Sequence, residues 1–173
     1  MSFALNILET KRMLLRQLTR DDVDNLLGIF SDPIAMQYYP STKSREETEE
    51  WIRRNLESYQ KYGIGLWAAT LKDSKEFAGQ GGLVVQHVDG KTEIEIGYLF
   101  LRKYWGQGLA TEAALACRNY GFTSLNFTRL ISLINPNNIP SRRVAEKIGM
   151  TLEKEVKWEK TGNIICVYAI ARM

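Results

Sequence analysis

The sequence predicts an α/β (α+β) chain: one central sheet, mixed but mostly antiparallel, with helices on both faces. Three observations predict it. The hydrophobic period switches repeatedly between about 2 and about 3.6 residues, which reads as β-α-α-β-β-β-α-β-α-β-β along the chain. In the second half strands alternate with helices, and strand–helix–strand units bring parallel pairing. Tight turn signals such as Asp89-Gly90 join other strands directly, and such hairpins are antiparallel. At 173 residues, against roughly 150 per domain, a single domain spanning 1–173 is expected.

Each element has a local reason. Arg12 to Leu18 forms the first strand. Thr19 caps a helix whose first turn holds Asp21 and Asp22, acids that suit the positive helix end, and whose Val23, Leu26, Leu27 and Phe30 fall at helical spacing. It stops near Ser31-Asp32-Pro33, because the residue before proline leaves the α region. Tyr38-Tyr39-Pro40-Ser41 is an aromatic loop. Ser44 and Glu47 form a capping box opening a charged helix through Trp51, Ile52, Leu56 and Tyr59. Leu66 to Leu71, Phe77 to Gln86 and Glu93 to Leu101 form an antiparallel meander. A helix runs from Ala110 to about Ser124, a strand from Arg129 to Ile134, and a helix from Ser141 to Ile148 that ends at Gly149. Leu152 to Glu159 and Ile164 to Ala171 close as a hairpin through Lys160-Thr161-Gly162-Asn163.

Composition excludes several function classes. Charged residues make up 25% of the chain, about the globular average, so wholesale disorder is not expected. The net charge of +3 has no clustered basic stripe behind it, which argues against nucleic acid. No apolar run approaches the ~18 residues of a membrane span. The start, Met1-Ser2-Phe3-Ala4-Leu5-Asn6, lacks the basic and apolar regions of a secretion signal, so a cytoplasmic location is expected. The two cysteines, Cys117 and Cys166, sit among apolar neighbours and read as packed thiols. The single histidine, His87, precedes a turn and reads as a surface residue. No metal site is expected, since the chain groups no set of Cys and His ligands.

Two segments carry chemistry. In Lys103-Tyr104-Trp105-Gly106-Gln107-Gly108-Leu109-Ala110-Thr111-Glu112 a strand enters and a helix leaves. Glycines two apart let backbone N–H groups turn toward an anion, and the helix start adds further N–H groups and a positive end. That makes a pyrophosphate cradle. No Gly-Lys-Ser/Thr follows, and Thr111 stands where a dinucleotide fingerprint has its third glycine. Downstream, Asn138 and Ser141 fall between a strand and a helix, where they serve as caps or face a ligand.

Together the two segments resemble the acyl-CoA core of the GNAT N-acetyltransferase superfamily, whose loop reads Gln/Arg-x-x-Gly-x-Gly/Ala; Lys103 departs at the first position. Glu9-Thr10-x-Arg12-x-Leu14-x-Arg16-x-Leu18 and Asn138-x-x-Ser141 are similar to the branch holding the RimJ/RimL-type ribosomal-protein N-terminal acetyltransferases, and the likeness spans roughly residues 9 to 172. The resemblance implies a sheet splayed at an acetyl-CoA cleft between the Glu93–Leu101 and Arg129–Ile134 strands. It implies that Leu99, Phe100 and Leu101 face the pantetheine arm, with main-chain pairing from Leu99 and Leu101. Gly106, Gln107, Gly108, Leu109, Ala110 and Thr111 would hold the pyrophosphate, and Asn138 and Ser141 would contact CoA. An amine would attack the thioester directly. Glu95 then matches the base position, with Glu93 on the same strand face as a second carboxylate. Ser141 is the candidate donor to the departing thiolate and Tyr168 the runner-up, since Ala145 stands where many relatives carry a tyrosine. Tyr38 and Tyr39 would line the acceptor pocket, with Trp67 and Trp105 as core residues or walls. The acceptor implied is a protein N-terminal amine, such as that of a ribosomal protein. A small amine (amino acid, polyamine or antibiotic) and a non-catalytic CoA-binding module stay open as alternatives, as does pairing with a second copy of the chain.

Overall fold

In the computed structural model, which describes residues 4–173, the elements run β1 (Asn6–Glu9), β2 (Met13–Gln17), α1 (Val23–Phe30), α2 (Arg45–Tyr62), β3 (Leu66–Leu71), β4 (Phe77–Val88), β5 (Lys91–Phe100), α3 (Leu109–Thr123), β6 (Arg129–Ile134), α4 (Ile139–Lys147), β7 (Thr151–Lys157) and β8 (Ile164–Ala171). The strands form one sheet in the order β1-β2-β3-β4-β5-β6-β8-β7. Among the described strands only β5 and β6 pair parallel; the other neighbours are antiparallel. The expected mixed sheet with helices on both faces is therefore present. No described helix is long and apolar enough to cross a membrane. The expectation drawn from Met1–Phe3 lies outside the described residues.

The local signals worked where they were chemically specific. Asp89 and Gly90 both take positive φ, 52° and 75°, as the tight hairpin between β4 and β5 requires. The Ser44 hydroxyl accepts the Glu47 N–H and starts α2, and Gly63 at φ 73° ends it. Asn138 caps α4 by accepting the Ser141 N–H, so that helix starts two residues before the expected Ser141. β1 was not expected. It is a four-residue edge strand with only Ile7 and Leu8 as apolar pair, too short to show a period.

Two apolar layers flank the sheet. On one side Met13, Leu15, Trp67, Leu83, Ile96 and Phe100 pack under α3 through Ala113 and Cys117. On the other, Leu18, Ala68 and Phe77 pack under α1 and α2 through Leu26, Phe30 and Ile52. Leu99 and Leu101 join this second layer. Gly82 permits the close approach of β3 and β4, since a Cβ there would collide with the Gly65 carbonyl oxygen.

An ion pair with a buried carboxylate ties β2 to the start of α1. Arg16 meets both Asp22 oxygens at 2.8 Å, and Asp22 also accepts the Thr19 N–H at 2.8 Å and the Asn25 amide at 3.0 Å. Burial would raise the Asp22 carboxyl, but these donors outweigh it and hold it below the usual carboxylate range. A group with a depressed folded pKa stabilises above its unfolded value and loses that contribution as pH falls through the folded one. Asp22→Asn should therefore cost about 2–3 kcal/mol at pH 7 by leaving Arg16 unmatched. Urea melts repeated down to pH 3 should show the gap to wild type closing below about pH 4.

Candidate active site

The site begins where the sheet comes apart. β5 and β6 share a register contact only at Glu95↔Ile131. Beyond it, Ile96 to Phe100 stay paired with β4, while β6 stays paired with β8. Side chains bridge the apex. The buried Ser132 hydroxyl donates to the Ile96 carbonyl at 2.8 Å, and the Leu133 N–H donates to Glu95 Oε2 at 3.0 Å.

The unbroken β4–β5 register decides which backbone groups face this gap. The Leu101 N–H donates to the Ala78 carbonyl of β4 at 2.9 Å, and the Tyr104 N–H takes the Leu101 carbonyl. Backbone groups alternate sides along a strand, so those of Leu99 and Leu101 belong to β4. Those of Ile96, Tyr98 and Phe100 face the gap. The expected main-chain pairing from Leu99 and Leu101 is thus corrected by one residue. The Phe100 carbonyl is taken by the Trp105 indole N–H at 2.9 Å, leaving its N–H on the gap side.

At the wide end, Gly106 and Gly108 take φ of 76° and 80°, and Gly108 is the N-cap of α3 with no side chain to satisfy the helix. Leu109, Ala110 and Thr111 supply the first N–H groups of that helix, the positive end of its dipole. Arg12 on the chain leading into β2 holds the loop. Its guanidinium donates to the Gln107 carbonyl at 2.8 Å and to Glu112 at 2.6 Å, and its N–H donates to the other Glu112 oxygen at 2.8 Å. Glu112 would otherwise place an uncompensated negative charge beside an anion cradle. The cradle and the gap fit an acyl-CoA: N–H donors that meet no acceptor among the described residues for a pyrophosphate, then a strand edge for an amide-bearing arm.

From the α3–α4 side, the Tyr98 hydroxyl donates to the Ser141 carbonyl at 2.8 Å and receives the Ser141 hydroxyl at 3.2 Å. Tyr168 is buried, accepts from Arg142 Nε at 2.9 Å and donates to Glu146 at 3.4 Å. Burial raises the Tyr98 phenol, so it is a weak acid there.

Glu95 lies on the other face. Leu99 and Leu101 pack toward α1 and α2, and alternation puts Glu95 with them. Burial raises its carboxyl; hydrogen bonds from Gln86 (2.9 Å) and the Leu133 N–H, and the Lys160 charge, pull the other way. Tyr39, 44% exposed in the turn after α1, has its phenol pushed up to about 12, by desolvation first and by the Glu95 charge second. Tyr38 beside it is half-buried. Glu93 does not join Glu95. It pairs with Arg129 at 3.1 Å, and Arg129 also holds Glu153. The raised Glu95 carboxyl comes from burial, not from a second carboxylate. Trp67 is fully buried, whereas Trp105 is 45% exposed and pins the loop instead of filling the core. Gln86, Tyr98 and Lys160 carry no signal of their own in the sequence, and Arg12 stands there only as part of a strand pattern; contacts across the sheet reveal what they hold.

The profile of the acetyltransferase (GNAT) domain family matches residues 12–151. The Bacillus subtilis protein YkkB is 44% identical over 155 residues, covering 88% of this chain and 90% of that one. The crystal structure of a GNAT-family acetyltransferase from Bacillus anthracis is similar with a TM-score of 0.80 at 30% identity, covering 98% of each chain. A Salmonella typhimurium acetyltransferase that modifies the N-terminal serine of ribosomal protein L7/L12 shares the fold, with a TM-score of 0.78 at 20% identity over 95% of this chain and 97% of that one. The chain belongs to the GNAT acetyltransferase family and is an N-acetyltransferase.

His87 is exposed, and no described group of His, Cys, Asp and Glu is arranged to hold a metal ion. Both cysteines are free and buried, and burial pushes the Cys117 thiol up to about 12. Neither thiol should react with a disulfide reagent such as dithionitrobenzoate in the native protein, and both should react in denaturant. Rapid native labelling would contradict their placement in the core.

Proposed function

We propose that this chain transfers the acetyl group of acetyl-CoA to a protein N-terminal α-amine. The observation that carries the reading is the β5–β6 gap, with the free N–H end of α3, unmatched by any acceptor among the described residues, on one side and the half-buried Glu95 carboxylate at its apex. The N–H groups of the Gly106–Thr111 segment hold the pyrophosphate, and the gap-side main chain of Tyr98 and Phe100 faces the pantetheine arm. Acetyl-CoA supplies the activated thioester, so the protein need supply no nucleophile. Glu95 takes the proton from the acceptor ammonium. Its raised proton affinity narrows the gap to any acceptor ammonium equally, and the gap that remains is smaller for an α-ammonium, at about 8, than for a lysine or polyamine ammonium, at about 10.4. Ser141, with Tyr98 behind it, turns its hydroxyl hydrogen from Tyr98 to the departing sulfur.

Two further features favour an α-amine. A polyamine is a polycation and calls for clustered, unpaired carboxylates. Here Glu93 is matched by Arg129 and Glu95 is linked through Gln86 to Lys160. The Thr10-x-Arg12 and Asn138-x-x-Ser141 segments also resemble the RimJ/RimL branch. The same reading places the chain in the cytoplasm.

Gly108→Val puts a β-branched residue at φ 80° and a side chain toward Arg12. Calorimetry with acetyl-CoA, run against desulfo-CoA and ATP, should show a dissociation constant at least about tenfold weaker, roughly 1.4 kcal/mol, with the circular dichroism of the fold retained. Unchanged affinity would remove the loop from the binding site. For Glu95→Gln, kcat/KM toward a lysine-free peptide with an N-terminal serine should fall by about 10²-fold or more. The wild-type rate is lost as pH falls through the raised Glu95 pKa, since the charged form is the base. That acid limb should be absent in the Gln variant, and a limb that persists unchanged would return Glu95 to a structural role.

A further inference from the structure

Lys160 stands in the turn between β7 and β8, closed by hydrogen bonds from the Gly162 N–H to the Trp158 carbonyl and from the Trp158 N–H to the Asn163 carbonyl. Although it is exposed, its ammonium is held at two points. It lies 5.2 Å from the centre of the Trp158 ring and donates to Gln86 Oε1 at 2.7 Å. Gln86 is buried, and its amide nitrogen donates to Glu95 Oε1 at 2.9 Å. The amide can stand only one way round. An ammonium has no acceptor, so it must meet the amide oxygen; an ionised carboxylate has no donor, so it must meet the amide NH₂.

Register explains why Gln86 reaches Glu95. Directly across β4 and β5 it faces Glu93, with Glu95 on the diagonal. Glu93 is already held by Arg129 at 3.1 Å, so the Gln86 amide turns to the diagonal carboxylate. Both Glu95 oxygens then receive N–H donors, one from Gln86 and one from Leu133. That pattern suits the ionised carboxylate and opposes the burial that would protonate it.

We propose that Lys160 and Gln86 are positioning residues that act as a relay, holding the Glu95 carboxylate ionised and aimed into the gap. The inference rests on the reading of Glu95 as the base. The Lys160 charge polarises the Gln86 amide and strengthens its bond to Glu95. The other titratable groups near Glu95 are Tyr39, from the turn after α1, and Tyr98, across the sheet on its opposite face, both uncharged near neutral pH; Glu93 is matched by Arg129. Lys160 is thus the one cation that the described structure sets against this carboxylate.

The test reads Glu95 directly. Protein labelled with ¹³C at glutamate side-chain carboxyls is titrated by NMR, with the Glu95 signal identified by its loss in Glu95→Gln. Lys160→Met, a change at an exposed position, should raise the Glu95 midpoint by about half a pH unit, and Gln86→Leu by more, because a direct hydrogen bond goes as well. Lys160→Arg should restore the wild-type midpoint. Midpoints that stay at the wild-type value in both Lys160→Met and Gln86→Leu would overturn the relay. The acid limb of kcat/KM with the N-terminal serine peptide separates this from the reading beneath it. A limb that moves with the NMR midpoint supports relay and base together. A midpoint that moves while the limb stays put keeps the relay and removes Glu95 as the base.

Discussion

The parting of β5 from β6 is the constraint on which the rest depends. Two parallel neighbours in one sheet normally share a ladder, and here the ladder is reduced to the Glu95–Ile131 contact. The strands beyond it are not loose, because each remains fully paired on its outer side, to β4 and to β8. The gap is therefore built from two rigid edges. At its apex Ser132 and Glu95 replace backbone bonds with side-chain bonds, which leaves a half-buried carboxylate where the two edges meet.

A rigid gap has value only if the loop at its open end keeps its shape. Positive φ at Gly106 and Gly108 sets the path, but two glycines alone would leave the segment mobile. Arg12 pins its middle and Trp105 pins its start, one from the chain before β2 and one from within the loop. The first turn of α3 thereby keeps its N–H groups aimed outward, with the Glu112 charge already answered.

Charge is sorted just as tightly. Glu93 and Glu95 share a strand face and are both half-buried, yet one is matched by Arg129 and the other receives the N–H groups of Gln86 and Leu133. Neighbours only two residues apart thus differ in their partners because of what meets them across the sheet. In the transfer we propose, a thiol or an imidazole would add little: direct attack on a thioester asks for a positioned amine, a base and a place for the leaving group.

The sequence by itself determined the order of the elements from β2 onward, the Asp89-Gly90 hairpin, the Ser44 cap and the glycine loop before α3, since each rests on neighbours within a few residues; it left Asn138 open between a cap and a ligand contact. It also singled out Glu95 and Ser141 through a resemblance in pattern. It missed β1, whose four residues show no period, and placed the gap-side backbone one residue off, because strand parity is settled only by the Ala78–Leu101 pairing. Tertiary structure alone decided that Glu93 is paired and Glu95 is not, that Trp105 lies outside the core, and that Gln86 and Lys160 reach the carboxylate from positions 86 and 160. The physical reason is range. Propensity and capping act along the chain, whereas the state of a buried carboxylate is set by donors and charges that meet only when distant strands align.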